Sequence, residues 1–434
     1  MVGVALYILV IVFALALLLL NKNRIRSNIG LLFMLLAYCL FYGLSGVHSS
    51  FSYEKDVELM NLKYSRENSL IFLGGISTLV SLLVSYLSYT FLSKHRYGKS
   101  DCLMQDNGNG LVLYGWLPLL FSMFSLYLYS LQYGGIAQAL SAAAMIRAGL
   151  YKESVGSFTF FKYFIPIFLI GFSFWFLKYL FTKRVKHLFY FLIYFGWGVY
   201  AFSFMAGRTR FVFLLLLPLI FWVLQVRKVK IKSIITTFLL TLTLVLGIVN
   251  YGKSVFVGLS TDNYQAHEVK SEESSLIGYF THRVYANEVA WGRFIELNEV
   301  YGFNDVFFAP LFIIPERLTG IKKPDSISYH TTEVLTGVYD SMIPPGVVAL
   351  GLFSFNVVGL VFVSIIYGAI FALFDNKIAR GNTSSILYIL GVLYWFYYGS
   401  SGDVRIIVNS FAFFIPVLFF YYGKIFIFRT MRGK

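Results

Sequence analysis

About eleven apolar segments, each close to the length that a bilayer demands, recur along this chain of 434 residues. A hydrocarbon core about 30 Å thick is crossed by about 20 residues of helix. Stretches of that order fall at 2–20, 29–47, 69–92, 111–130, 159–181, 188–205, 211–226, 233–252, 345–374, 384–399 and 406–424. With 58% hydrophobic and only 13% charged residues, a soluble globular chain is excluded. The predicted fold class is an all-α polytopic membrane protein, with about 11 transmembrane helices in one domain spanning 1–434. The first segment is read as a helix and not a signal peptide, because no basic residue precedes it and no small-residue cleavage site follows.

The loops between these segments differ by side. Lys22, Arg24, Arg26, Lys94, Arg96, Lys99, Lys178, Lys183, Arg184, Lys186, Arg227, Lys228, Lys230, Lys232, Lys377, Arg380, Lys424, Arg429, Arg432 and Lys434 all fall on one set, which is 20 of the 36 basic residues. Against them stand only Asp101, Asp106 and Asp375; the opposite set is nearly balanced, with 16 basic and 18 acidic residues. Short basic loops stay in the cytoplasm, which predicts an outer amino terminus and an inner carboxyl terminus. The net charge of +15 then serves topology and anionic membrane lipid, not nucleic acid. Cys39 lies within a span and Cys102 in a loop, so neither a disulfide framework nor a cysteine metal site is expected.

Polar groups able to do chemistry concentrate on the outer side. Segment 48–68 reads as a solvated cap of mixed charge. Segment 131–158 opens with Gly134-Gly135 and places Ile136, Leu140, Ala144 and Ile146 on one stripe of an interfacial helix. The loop 253–343 is long enough to need a reason of its own. Within it, 276–300 reads as an amphipathic helix with Ile277, Phe280, Val284, Asn287, Trp291 and Phe294 on one face. Pro310, Pro315 and Pro324 exclude continuous helix over 310–325, and 329–340 forms a short helix before Pro344-Pro345 opens the next span.

Arginine is the residue type that stands out there. Arg208 and Arg210 occupy a tight turn between two very hydrophobic segments, where a charge is costly unless matched. Guanidinium forks engage phosphate oxygens in pairs, so a diphosphate at the membrane surface suits them, as does simple snorkelling to headgroups. Arg147 on the interfacial helix and Arg283 beside Tyr285, Asn287, Glu288 and Trp291 extend the set. Arg405 shares its helix mouth with Asp403, and the two are also suited to pair with each other. Candidates for a general base are His330, Glu288, Glu333 and Asp340. No Gly-rich phosphate loop, no His-Glu-x-x-His pattern and no dense histidine or carboxylate cluster occurs, so neither nucleotide, metal nor other cofactor is expected.

Four local patterns carry a resemblance over most of the chain: Gly134-Gly135 before a helix ending in Ile146-Arg147-Ala148-Gly149; Ala206-Gly207-Arg208-Thr209-Arg210 entering a Leu-rich span; Arg283 in the single long loop; and Pro344-Pro345-Gly346 followed by Asn356-Val357-Val358-Gly359-Leu360. In order and side, the sequence resembles Wzy-type O-antigen polymerases, the family that joins oligosaccharide repeat units. The resemblance implies a GT-C-like membrane fold with one large periplasmic loop in the bacterial inner membrane. It also implies transfer of a growing glycan from undecaprenyl diphosphate to a new lipid-linked repeat unit, with a chain-length regulator as a protein partner. Arg147, Arg208, Arg210 and Arg405 would then bind the substrate diphosphate, and His330, Arg283, Glu288 and Asp340 would serve catalysis. Two other readings compete. An O-antigen ligase has similar arginines and a loop histidine, and a flippase or other transporter would need repeat symmetry and charged cavity helices, which are not found in the sequence.

Overall fold

The computed structural model describes residues 2–21, 28–93, 111–143, 146, 157–205, 208–225, 280–298, 300–314, 316–339, 342–379 and 385–419. Among them the chain is helical, with no strand. Among the described residues, five helices are long and apolar enough to cross a membrane: Gly3–Leu20, Ile29–Glu58, Asn68–Leu92, Phe158–Thr182 and Gly346–Ile378. The expected span at 233–252 and much of the long loop, 253–279, lie outside the described residues, as do Arg147 and Asp340.

The residues group into two compact units, one made of 1–104 with 271–410 and the other of 105–270 with 411–434. In the first, α1 (Val2–Leu20) and α3 (Asn68–Leu92) flank α2, which runs through Ile29–Tyr38, a π-helical stretch Cys39–Leu44 and Ser45–Met60. The solvated cap read over 48–68 is therefore mostly a continuation of helix. The chain leaves it at Asn61, whose left-handed conformation (φ 50°) is one that Asn tolerates.

The tightest packing joins α3 to α11 (Gly346–Ile378) through small residues. A side chain at Gly368 would collide with the Ser85 carbonyl, so the two backbones approach as only small residues allow. Hydroxyls fill the seam: Tyr38 meets Ser81 and Ser85 at 2.7 and 2.8 Å, and Ser81 meets Ser364 at 2.7 Å. At the far end of α11, Asp375 is buried and accepts from the Gly30 amide at 2.8 Å, the Leu31 amide at 3.2 Å and the Tyr89 hydroxyl at 2.6 Å. One carboxylate thus caps the first turn of α2 from a different helix, satisfying amides that the helix itself leaves open.

The segment 345–374, read from the sequence as one span, is broken. Phe355 (φ −151°, ψ 40°) and Asn356 (φ 52°, ψ −136°) leave helical geometry. Beyond them the chain turns back, so that a Cβ on Gly351 would lie 2.5 Å from the Leu360 Cα. A straight helix would hold residues nine apart about 13 Å from one another. The first arm, 346–354, is buried throughout and only about 14 Å long, too short to cross a bilayer. Its last carbonyls are taken by other backbone: the Tyr301 and Gly302 amides donate to Phe353 and Ser354 at 2.7 and 3.1 Å. Broken helices at membrane depth survive only where protein surrounds them, as here.

Three further helices complete this unit's core. α9 (Thr281–Leu297) and α10 (Ile327–Thr336) come from the long loop, and α12 (Ser385–Tyr397) follows α11. In α9 the consecutive residues Arg283–Ala290 are all buried. It is thus no surface helix with one apolar stripe, as 276–300 was read, but one enclosed on every side over its first half.

In the second unit, α4 (Leu117–Leu131), α6 (Phe168–Thr182), α7 (Val185–Ser203) and α8 (Arg208–Gln225) pack around Tyr194 and Trp175, which both donate to the Gly115 carbonyl. Gly134 (φ 84°) and Gly135 (φ 121°) turn the chain into the short α5 (Ile136–Ser141). Ala139, Leu140 and Ile146 pack there against Leu126, Tyr129, Ile165, Ala201 and Phe204, while Ile136 is 45% exposed.

Candidate active site

Three polar constellations lie in the first unit, and all are built on elements of the long loop. The deepest is centred on Arg283, which is 3% exposed. Its guanidinium stands 4.3 Å from the centre of the Phe41 ring and 5.3 Å from that of Phe280, and donates to the Ser400 hydroxyl at 2.9 Å. Stacking on aromatic faces is a strong way to hold a desolvated guanidinium. Phe41 lies twelve residues into α2, about 18 Å from its Ile29 end, so the cation stands beside the apolar part of a candidate membrane span, Ile29–Glu58. Backbones crowd beside it. A Cβ on Gly346 (φ 85°) would lie 3.2 Å from the Arg283 Cβ and 2.7 Å from the Tyr42 hydroxyl, and one on Gly402 (φ 66°) would strike the Gly346 carbonyl. The start of the short arm, the turn after α12 and the start of α9 meet around this one charge.

One and a half turns further along α9 lies Glu288, a sequence candidate for catalysis. It is fully enclosed and committed to Arg66: Nε donates to Oε2 at 2.8 Å and Nη2 to Oε1 at 2.7 Å. Tyr64 donates to Oε2 at 3.0 Å, and the Ser49 carbonyl and hydroxyl take the other Arg66 donors at 2.6 and 3.0 Å. The guanidinium also faces the Tyr53 and Tyr285 rings at 5.4 and 5.3 Å, and the Tyr285 hydroxyl donates to Asp56 at 2.5 Å. Burial lowers the proton affinity of Arg66, but the Glu288 carboxylate outweighs it and holds the group above the ordinary arginine range. Both oxygens of Glu288 thus accept hydrogen bonds from Arg66 or Tyr64, which makes the carboxylate an anchor of α9.

The third constellation joins α10 to the mouth of α13 (Val404–Phe411). Asp403 accepts from Ser326 at 2.5 Å, from Ser328, and from the Ile406 amide at 2.9 Å. The expected pairing of Asp403 with Arg405 is absent among the described residues; Arg405 instead leans over Phe312, 6.0 Å from the ring centre. Asp305, in the one-turn helix Asn304–Phe307, is buried within electrostatic reach of Asp403. Neither of its oxygens accepts a well-formed hydrogen bond among the described residues. Burial first, and Asp403 second, push its carboxyl up to about 6. Tyr301 is raised by burial and by the same two carboxylates. His330 stacks on Tyr301 at 5.1 Å and meets Phe353 edge-on at 5.3 Å.

The structure thus places Arg283, Glu288, His330 and Arg405 in one unit, in three different surroundings. Arg208 opens α8 in the other unit, and Arg210, two residues on, is within electrostatic reach of Tyr129. Arg66, Asp56 and Asp305 were missed by sequence reasoning. Nothing local marks Arg66, whose partner is 222 residues away. Asp305 had a signal: a lone carboxylate in the mostly apolar run Phe303-Asn304-Asp305-Val306-Phe307-Phe308. No family model, no curated protein and no solved structure matches this chain.

If Glu288 anchors α9, Glu288→Ala should lose about 3–5 kcal/mol of stability by stranding a buried guanidinium. The double variant Arg66→Met/Glu288→Ala should recover much of that loss in a detergent thermal-unfolding assay. Equal midpoints for Glu288→Ala and wild type would refute the anchoring role. Asp305 makes a pH prediction of definite sign. Its native proton affinity is raised, so its contribution to stability is fully present below pH 4 and is lost as pH rises through about 6. The displacement from 3.8 to about 6 is worth about 3 kcal/mol. Asp305→Asn should remove that decline between pH 4 and 7, and an unchanged pH profile would show that the carboxyl is not held protonated.

Proposed function

We propose that this protein is a membrane glycosyltransferase of the Wzy type. On this reading it polymerises undecaprenyl-diphosphate-linked oligosaccharide repeat units into O-antigen or a capsule-type polysaccharide at the periplasmic face of the bacterial inner membrane. The topology that goes with it has eleven spans, an outer amino terminus, an inner carboxyl terminus and the loop 253–343 entered and left on the periplasmic side. It is supported by the 20 basic against three acidic residues in the inner loops.

The observation that carries the reading is Arg283. A permanent charge buried at the depth of membrane helices is expensive and marks a substrate path more often than a scaffold. A lipid diphosphate is the substrate whose chemistry matches it. As the acceptor hydroxyl oxygen bonds to the anomeric carbon of the donor glycan, the carbon–oxygen bond to the diphosphate breaks, and negative charge builds on the departing phosphate. A fixed guanidinium in a low-dielectric setting stabilises that charge without a metal. The acceptor's proton needs a base. Glu288 is occupied and Asp340 lies outside the described residues. His330 is stacked between Tyr301 and Phe353. Asp305, buried beside Asp403, with no well-formed hydrogen bond on either oxygen and its carboxyl pushed up to about 6, is assigned that step. The donor bond is already activated, so the reaction draws on no nucleotide. Arg147, Arg208, Arg210 and Arg405 remain in this proposal as diphosphate-binding residues.

Purified protein in nanodiscs, given synthetic lipid-linked repeat units and excess EDTA, should produce a ladder of polymer. Arg283→Ala should abolish it. Arg283→Lys should restore little, because an ammonium neither stacks on Phe41 nor presents a planar fork. A full-length ladder from Arg283→Lys would show that charge alone suffices and defeat this site. Single transfer to a lipid A core, with no ladder, would mark the protein as a ligase instead.

A further inference from the structure

Residues 303–308 face the wrong way for a chain in water. Asp305 is completely buried, while its neighbours Val306, Phe307 and Phe308 are 40%, 81% and 38% exposed. In an aqueous loop both choices are unfavourable: two phenyl rings are left in solvent, and a carboxylate is desolvated without well-formed hydrogen bonds. Rotating this single turn by half a revolution would correct both at once. The arrangement makes physical sense only where the surroundings outside are less polar than the protein inside.

A second observation says what those surroundings are. The Phe303 ring lies 5.2 Å from Phe355 and 5.8 Å from Phe362. Phe362 is six residues past the break in α11, about 9 Å along its second arm. That arm belongs to a candidate membrane span, and it exposes Val358 (76%), Phe362 (52%), Ile365 (43%) and Leu373 (54%). The apolar surface of 306–308 therefore continues an apolar helix face that crosses the bilayer. The segment is also tethered there, since the Tyr301 and Gly302 amides close the end of the first arm.

We propose that 303–308 is a membrane-inserted turn of the long loop, with Val306, Phe307 and Phe308 in contact with the hydrocarbon chains of the bilayer and Asp305 directed into the protein. The occupant of this surface is lipid, not water and not a second protein. The inference rests on the membrane-spanning helices and not on the reaction proposed above, so the two stand or fall separately.

Site-directed spin labelling of the full-length protein in liposomes tests it. In a Cys39→Ala/Cys102→Ser background, labels are placed by Phe307→Cys, by Val358→Cys as a lipid-facing control and by Lys322→Cys as a water-facing control. Relaxation by oxygen, which concentrates in hydrocarbon, is compared with relaxation by a water-soluble nickel chelate. The expected result is a depth parameter at 307 with the same positive sign as at 358 and opposite to that at 322. Greater access to the nickel chelate at 307 would place the turn in water and overturn the proposal. Access to neither reagent would mean that protein covers it, and would overturn it equally.

Discussion

The ion pair between Arg66 and Glu288 is the interaction on which the first unit depends. α9 is too polar to enter a helical bundle on its own account: it carries Arg283, Asn287 and Glu288 on consecutive turns, all buried. A lone carboxylate there would be prohibitive, and even a paired one recovers its desolvation only when the remaining lone pairs are satisfied. Here three hydrogen bonds reach it, two from the Nε and Nη2 prongs of the Arg66 guanidinium and one from Tyr64. The Arg66 donors that Glu288 leaves are taken by Ser49 on α2. The pair therefore ties α9 to the end of α2 and to the stretch before α3 in one network. With α9 fixed, Arg283 is carried to Phe41, and Gly346 and Gly402 close around it.

That dependence explains which parts of the fold were legible. Apolar length alone located α1, α3 and the second arm of α11, because the bilayer imposes it on each segment separately. The break at Phe355-Asn356 was not legible. Its two arms are equally apolar, and the reversal depends on Gly351 and Gly359 permitting a close return that hydropathy does not register. The extension of α2 to Met60 was hidden for the opposite reason: Ser45–Met60 is polar enough to read as loop, yet its buried contacts come from Arg66 just beyond it and from Tyr285, 229 residues from its partner Asp56.

The candidate site divides in the same way. Arg283 was legible, since a cation in a long loop beside polar and aromatic neighbours invites a functional reading. Its depth was not, because Phe41 and Ser400 come from distant segments. Glu288 had the right chemical type for a base and the wrong surroundings, and only the fold reveals that Arg66 has claimed it. Asp305 shows the reverse. Its sequence context gave it no part in the site, while the fold buries it beside Asp403 and pushes its carboxyl up to about 6.

The account as a whole holds that Arg283 is kept at membrane depth, at considerable cost, to meet the diphosphate of a lipid carrier. Native mass spectrometry of the detergent-solubilised protein, offered undecaprenyl diphosphate and undecaprenyl monophosphate in competition, tests this without requiring turnover. Wild type should retain the diphosphate in preference. Arg283→Gln, which keeps a donor for Ser400 but removes the charge, should lose that preference while unfolding at the wild-type temperature. Equal retention of the diphosphate by wild type and Arg283→Gln would contradict the account.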